Sequence, residues 1–494
     1  VQQISHPKDT AMSFLSRRQF LKGSALLTAT AATSRLTPLT HAAQPPAAPR
    51  GANERLNVAV LGVRGRGMSH VEAFADRHNC RVTHICDPDS AVVRRAVDLV
   101  TQRQGAAPVV EPDLRRIMEN RDIQVVTIAA PNHWHSLAAI WAMQAGKDVY
   151  VEKPVSHTVL EGRRCVEIAR ATNKICQAGM QSRSSRAVRE AIQFVHDGRL
   201  GAVRVARGLC YKRRTSIGRH QGEVAIPQTV DYNLWCGPAP RRPLNRINLH
   251  YDWHWQWDYG NGDIGNQGPH QMDIARWGLG KDCLPRTVQS VGGRFGYVDD
   301  GETANTQVAW YDFGEEQIIF EVRGLPTARK RGADMGTILY GTDGYLIVTQ
   351  FPMAAVAYDL DGNVIRRWSG EDDHFANFIN AVRSRRAQDL NADILEGHLS
   401  CSLCHLGNIS YRLGRQQPFE PRQTAFAGSG NAQNTMVVME EHLQENGLPL
   451  NVSQLTVGRR LTINPGQESI PGDEEANRML TKQYRQGFEL PGRP

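Results

Sequence analysis

The 494-residue chain lacks an apolar run of bilayer length, so no stable membrane span is expected. It also lacks a lysine- or arginine-rich block with interleaved aromatics, which argues against nucleic acid as a partner. The formal charge of +8 points no further. Lys8, Arg17, Arg18, Lys22 and Arg35 against Asp9 place half of it in residues 1–42. Nine cysteines form an odd set without a spacing pattern, so no disulfide framework is indicated. Cys401-Ser402-Leu403-Cys404-His405 matches a haem-attachment pattern, but Leu399, Leu403 and Leu406 give that stretch the spacing of a packed helix. His250 and His254 are four residues apart without the glutamate of a zinc-protease motif, and His133 and His135 alternate rather than share a face. No metal is expected. Nucleophile-elbow and Walker sequences are absent too.

Ser16-Arg17-Arg18-Gln19-Phe20-Leu21-Lys22 has the form of a twin-arginine export signal. A weakly apolar run, residues 23–34, follows it, and small residues precede a cleavage point after Ala42. Residues 1–42 are therefore expected to be a signal peptide taking a folded protein through the twin-arginine translocase to the periplasm. Residues 43–55, rich in proline and alanine, are expected to be a linker.

From Leu56 the chain alternates short β-rich runs with helical periods, the pattern of a doubly wound parallel sheet. Strands are predicted at 56–63, 81–87, 125–130, 148–151 and 174–178, with helices at 68–78 and 134–145, the latter closed by Gly146. This defines a dinucleotide-binding domain over residues 56–179. The first strand runs into Gly62-Val63-Arg64-Gly65-Arg66-Gly67. Glycines at such a turn let the backbone approach a pyrophosphate seated on a helix N-terminus. Arg64 stands where the usual spacing has its second glycine: either the loop is rearranged, or Arg64 turns outward and pairs with phosphate itself. Asp87, closing the second strand, suits a ribose 2′-hydroxyl and repels a 2′-phosphate, favouring NAD over NADP. Two further strand ends carry polar clusters, Pro131-Asn132-His133-Trp134-His135 and Glu152-Lys153-Pro154.

These clusters resemble the P-N-x-x-H and E-K-P segments of the Gfo/Idh/MocA oxidoreductases, which face the nicotinamide in that family. Leu234-Trp235-Cys236-Gly237-Pro238-Ala239-Pro240 is similar to its L-W-x-G-P-x-P. Residues 260–277 resemble the motif carrying its catalytic histidine, and residues 475–485 the C-terminal segment of its larger exported members. The resemblance covers almost the whole chain after the signal. It implies cofactor contacts from Pro131, Asn132, His135, Glu152 and Lys153, a carbohydrate substrate, and pairing of subunits through the second-domain sheet.

Residues 180–415 read as an α+β substrate domain. A helix at 185–197 leads into strands at 203–211, 287–295, 306–313, 317–322 and 337–340, a largely antiparallel sheet open on one face, with helices at 373–385 and 394–413. Residues 416–494 are a C-terminal extension. Oxidising a sugar alcohol needs a base for the hydroxyl proton and a cation for the alkoxide character that develops. His270 and Lys153 suit these tasks, and the resemblance assigns the same positions. Many relatives place an aspartate four residues before the histidine; this chain has Asn266, which can orient the ring but stabilises an imidazolium less well. Asp263 and Asp273 are the nearby carboxylates that could substitute. His254 and Trp255, in the indole-rich segment 250–257, together with Asp263, Asn266 and Arg183, are the candidate sugar contacts.

The function expected is an exported NAD-dependent oxidoreductase that passes hydride between a tightly held nicotinamide and a sugar, glycoside or polyol. Two alternatives stand beside it. One is a redox-neutral glycosidase working by transient oxidation and elimination; the other is a non-catalytic sugar-binding relative.

Overall fold

A computed structural model describes residues 54–419 and 425–494. The expected signal peptide and nearly all of the linker lie outside the described residues. The described part begins with a six-stranded parallel sheet, in the order β3-β2-β1-β4-β5-β6. Its strands are β1 (Leu56–Leu61), β2 (Cys80–Cys86), β3 (Val109–Glu111), β4 (Val125–Ile128), β5 (Asp148–Val151) and β6 (Cys176–Ala178). The crossover helices are α1 (Arg66–Phe74), α2 (Arg94–Gln104), α3 (Leu114–Glu119), α4 (Asn132–Gln144) and α5 (Val159–Ala171). β1, β4 and β5 are buried on both faces, which is why they read as near-continuous apolar runs. The strand order reverses beside β1. A crevice opens there between the carboxyl ends of β1 and β4, the place where such sheets bind ligands.

Next come α6 (Arg186–His196), β7 (Val205–Cys210), α7 (Tyr232–Cys236), α8 (Gly262–Asn266) and α9 (Gly268–Gly278). The next strands of the second sheet are β8 (Thr287–Gly293), β9 (Thr306–Asp312), β10 (Gln317–Arg323), β11 (Met335–Tyr340), β12 (Gly344–Gln350), β13 (Met353–Asp359) and β14 (Val364–Trp368). After them run α10 (His374–Ser384), α11 (Ile394–Arg412), β15 (Arg415–Pro418), α12 (Gly430–Glu445), β16 (Gln454–Val457), β17 (Leu461–Thr462) and α13 (Glu474–Arg478). The second sheet has eleven strands, ordered β14-β13-β12-β11-β7-β10-β9-β8-β16-β15, with β17 also on β8. It is antiparallel except where β7 runs parallel to β10.

Two features differ from the linear division of the sequence. Phe378, Ile379 and Val382 of α10 pack with Val58, Val60 and Phe74, so this helix returns to the nucleotide domain. The C-terminal extension is also built into the second sheet through β15, β16 and β17. On the face read as open, Met436, Met439 and Leu443 of α12 cover Val291, Val308, Trp310 and Ile319 of β8, β9 and β10. The opposite face packs on α6, α9 and α11. Cys401 and Cys404 are free and buried within α11. His405 Nε2 lies 3.0 Å from Ser156 Oγ. No helix among the described residues is long and apolar enough to cross a membrane.

Candidate active site

β1 delivers the chain into Gly62, whose φ of 77° is open to glycine; a Cβ there would lie 2.8 Å from Ala129 O. Gly65, with φ 57°, occupies the N-cap of α1, and a side chain added to it would meet nothing within 4 Å. The turn thus leaves open space beside Gly65 where α1 begins, a cradle for a pyrophosphate at a helix N-terminus. Gly67 serves differently. A Cβ on it would come within 1.7 Å of Gly62 O, so its hydrogen lets α1 sit on the turn, and it does not line the cavity.

The cradle opens into a cavity of about 730 Å³, within the range of small-molecule sites. Gly62, Arg64, Gly65, Arg66, Asp87, Pro131, Asn132, His135, Glu152 and Lys153 line it. Asp87 is 8 % exposed; Oδ2 accepts from Val63 N and Oδ1 from Asp89 N, both at 3.0 Å. Burial pushes its carboxyl up, against the pull of those amides. Arg64 is exposed at the rim. Arg66 Nε instead donates to Glu152 Oε1 at 2.7 Å. Glu152 also accepts from Gln181 at 3.0 Å and lies 3.3 Å from His70 Nε2. Burial would raise the Glu152 pKa, but Arg66, His70 and Lys153 together hold it well below the usual carboxylate range. The His135 ring lies between two strand-end loops, 2.7 Å from Pro154 O and 2.6 Å from Ala130 O, and so ties the β4 and β5 edges together.

His270, Asn266 and Lys153 meet on the opposite wall. His270 stands in the first turn of α9, 6 % exposed, and its buried Nδ1 has no partner among the described residues. Burial, and then the Lys153 charge, lower its pKa to about 3. Lys153 Nζ donates to Asn266 O at 2.7 Å and to Asn266 Oδ1 at 3.3 Å. Its pKa is lowered by burial, with Arg66 and Lys212 adding to the effect and Glu152 opposing it. Asn266 therefore holds the lysine, not the imidazole. At neutral pH the wall presents an uncharged imidazole beside a lysine whose pKa burial has lowered, a pairing suited to moving one proton.

The other candidate sugar contacts separate. His254 lines the cavity, stacked 3.7 Å from the ring of Trp253. Trp255 faces a second cavity of about 430 Å³. Asp263 is not in the wall: it is buried against the Arg214 guanidinium, Nε to Oδ1 at 3.0 Å. Arg183 is likewise outside it, its Nε 2.8 Å from Asp273 Oδ2 and its NH2 2.9 Å from Glu396. Neither Asp263 nor Asp273 supports His270, because each carboxylate is taken by an arginine. Buried charges settle in such pairs because an unpaired one is costly.

Other wall residues owe their places to long-range contacts. Trp134 Nε1 donates to Leu234 O at 3.1 Å, and His250 Nε2 lies 2.7 Å from Asp89 Oδ2, both tying the segment around 229–261 over the crevice. Gln181, Gln350 and Phe351 arrive from distant elements. The basic run Lys212-Arg213-Arg214 follows β7.

A switch-point crevice in a parallel sheet, a glycine cradle and a second sheet closing over a basic and imidazole wall define a nicotinamide-binding oxidoreductase fold. The chain belongs to the Gfo/Idh/MocA oxidoreductase family. Residues 56–180 match its NAD-binding Rossmann fold and residues 187–446 its C-terminal alpha/beta domain. Residues 15–34 match the twin-arginine translocation signal, so the chain carries a signal for export by that pathway. A glycosyl hydrolase family 109 protein from Shewanella sp. (strain W3-18-1) is 32% identical over 179 residues, 33% of this chain and 39% of that protein. The chain thus matches well under half the length of that relative. Levoglucosan dehydrogenase in complex with NADH and L-sorbose superposes with a TM-score of 0.53 at 17% identity, covering 71% of this chain and 95% of that one. The WlbA dehydrogenase from Bordetella pertussis, in complex with NADH and UDP-GlcNAcA, gives 0.51 at 17%, covering 72% and 97%.

Proposed function

We propose that this is an exported oxidoreductase that holds NAD tightly and uses it to transfer hydride to and from a sugar, glycoside or polyol. One observation carries the reading: the glycine cradle, Asp87, Lys153 and His270 all open onto a single cavity. The residues fit the cofactor. Gly62 and Gly65 leave the space a pyrophosphate needs, Asp87 waits at the end of β2 for a ribose, and Arg64 is free to turn to phosphate. When bound, NAD supplies the hydride acceptor. Asp87 favours it over NADP, because a 2′-phosphate would meet a buried carboxylate.

His270, uncharged, takes the hydroxyl proton of the substrate as the hydride leaves the same carbon. Lys153, fixed by Asn266 O, donates to the oxygen on which negative charge grows. The low basicity of His270 is offset in the transition state, since Lys153 makes the substrate hydroxyl more acidic. Glu152, held by Arg66 and Gln181, keeps the Lys153 backbone in place and balances its charge.

The export signal sharpens the proposal. A diffusible nicotinamide lost outside the cytoplasm would not be replaced, so the cofactor is retained and regenerated within each cycle. Similarity to a glycosyl hydrolase family 109 protein favours a second reading of the net reaction. In it a sugar is oxidised transiently, the ketone acidifies the neighbouring C–H, the aglycone leaves by elimination, water adds to the resulting unsaturated ketone and the hydride returns.

Mass analysis of the nucleotide released on denaturing the folded protein tests the core of the proposal: NAD in near-stoichiometric amount is expected. If none is released and added NAD shows no saturable binding, both enzymatic readings fail and a sugar-binding relative remains. With NAD present, net ketone formed from a glycoside marks the oxidoreductase, and aglycone release without net redox change marks the glycosidase. Asp87→Ala should narrow the preference for NAD over NADP by about tenfold, read from the two dissociation constants. Lys153→Met should lower kcat by about 10²–10³; an unchanged kcat would remove Lys153 from the chemistry.

A further inference from the structure

We infer that the carbohydrate taken by this site carries an anionic group, read by Lys212 in the wall of the larger cavity. The inference rests on the sugar-oxidoreductase reading and narrows its substrate class to acidic sugars. Lys212 follows β7 and lines the larger cavity. It makes no hydrogen bond or ion pair among the described residues. It comes from the second sheet rather than from β1 and α1, which build the nucleotide cradle, and its charge helps lower the pKa of both Lys153 and His254.

Four carboxylates line the same cavity, and none neutralises it. Asp87 is bound to backbone amides, Asp113 caps α3 and pairs with Arg115, and Glu152 is held by Arg66. Glu371 is exposed at the rim and pairs with nothing among the described residues. The sugar side thus contains two lysines, and the contacts of Lys153 there are to the oxygens of Asn266. A neutral sugar would leave the Lys212 ammonium uncompensated as water is displaced, whereas an anion would pair with it.

The second cavity extends this field. Tyr251 lines both cavities, and its hydroxyl accepts from Arg214 NH1 at 2.9 Å. Beyond it stand Arg213, exposed and without an ion pair among the described residues, and Trp255, with the Arg214 guanidinium 5.3 Å over its ring. Asp252 is the carboxylate lining this second space. An aromatic platform and the unpaired Arg213 suit a sugar ring bearing a carboxylate, phosphate or sulfate.

The test titrates the NAD-loaded full-length protein by calorimetry with glucose, glucuronate, glucose 6-phosphate and glucose 6-sulfate, at low and high salt. At least one of the three anionic sugars should bind about tenfold or more tightly than glucose, the worth of one charged hydrogen bond, and lose part of that advantage in high salt. K212Q should abolish the advantage, K212R should keep most of it, and R213Q should reduce it less than K212Q does. The inference is overturned if no anionic sugar outbinds glucose, or if the advantage survives in K212Q. Nucleotide content measured on the same samples separates the two claims. Protein without NAD sinks the oxidoreductase reading, while protein with NAD but no preference for anions sinks only this one.

Discussion

His270→Ala is expected to lower turnover by about 10²–10⁴-fold, the usual worth of a general base, while the protein keeps its nucleotide. The separation follows from position. The phosphate cradle is built from β1, its turn and α1, and Asp87 stands at the end of β2. His270 belongs to α9, which packs on the second sheet through Met272, Ile274 and Ala275. Its Nδ1 has no partner among the described residues, so the substitution strands no donor or acceptor elsewhere. Asp273, three residues on, keeps its bonds with Arg183 and Ser400 and anchors the helix without the ring. Single-turnover kinetics and released nucleotide per chain, measured on the same preparation, give the answer. Loss of nucleotide together with activity would show that His270 supports the cofactor site rather than the proton transfer.

The cradle was legible because its cause is local. A strand of continuous apolar residues, glycines where φ must be positive and an acidic residue at the end of the next strand are all neighbours in sequence. The two carboxyl-edge clusters and His270 were legible through motifs. β3 escaped because it is three residues long and largely exposed, leaving no apolar run to read. Asp263 lies close in sequence to His270 and Arg183 just past the last parallel strand, yet long-range partners, Arg214 for one and Asp273 with Glu396 for the other, draw them away from the cavity. Asn266 was read as a support for the imidazole from helical spacing. A five-residue helix that ends at Asn266 breaks that spacing and turns both of its oxygens toward Lys153. The apolar side of α12 showed no partner in the sequence, since the strands it covers lie more than a hundred residues earlier.

Acidification is expected to unfold this protein cooperatively, with a melting temperature that falls steeply between about pH 6.5 and 4. The cause is a set of histidines buried without charge. His133, His270 and His405 have pKa values lowered to about 3 and His374 to about 4, and His254, half-buried in the cavity wall, is also lowered to about 3, in each case chiefly by desolvation. In the unfolded chain each titrates near 6.5. Below that pH the unfolded state binds protons that the folded state refuses, so unfolding consumes protons and stability rises with pH across the window. Each such histidine contributes about 1.4 kcal/mol per pH unit, and five of them exhaust an ordinary stability of about 5–15 kcal/mol within roughly two units. Glu321 and Glu468, both lowered to about 2 against the effect of burial, act in the same direction at the lower end, because they too refuse protons when folded. Asp87 and Asp252, both pushed up by burial, oppose the trend. Melting curves from pH 7.5 to 4.5, with proton uptake measured from the buffer dependence of the unfolding enthalpy, test the sign and the number. A flat melting temperature, or proton release on unfolding, would refute it. His405→Asn should flatten the slope by about one proton, since Ser156 Oγ can still meet an amide there while the group that titrates is gone.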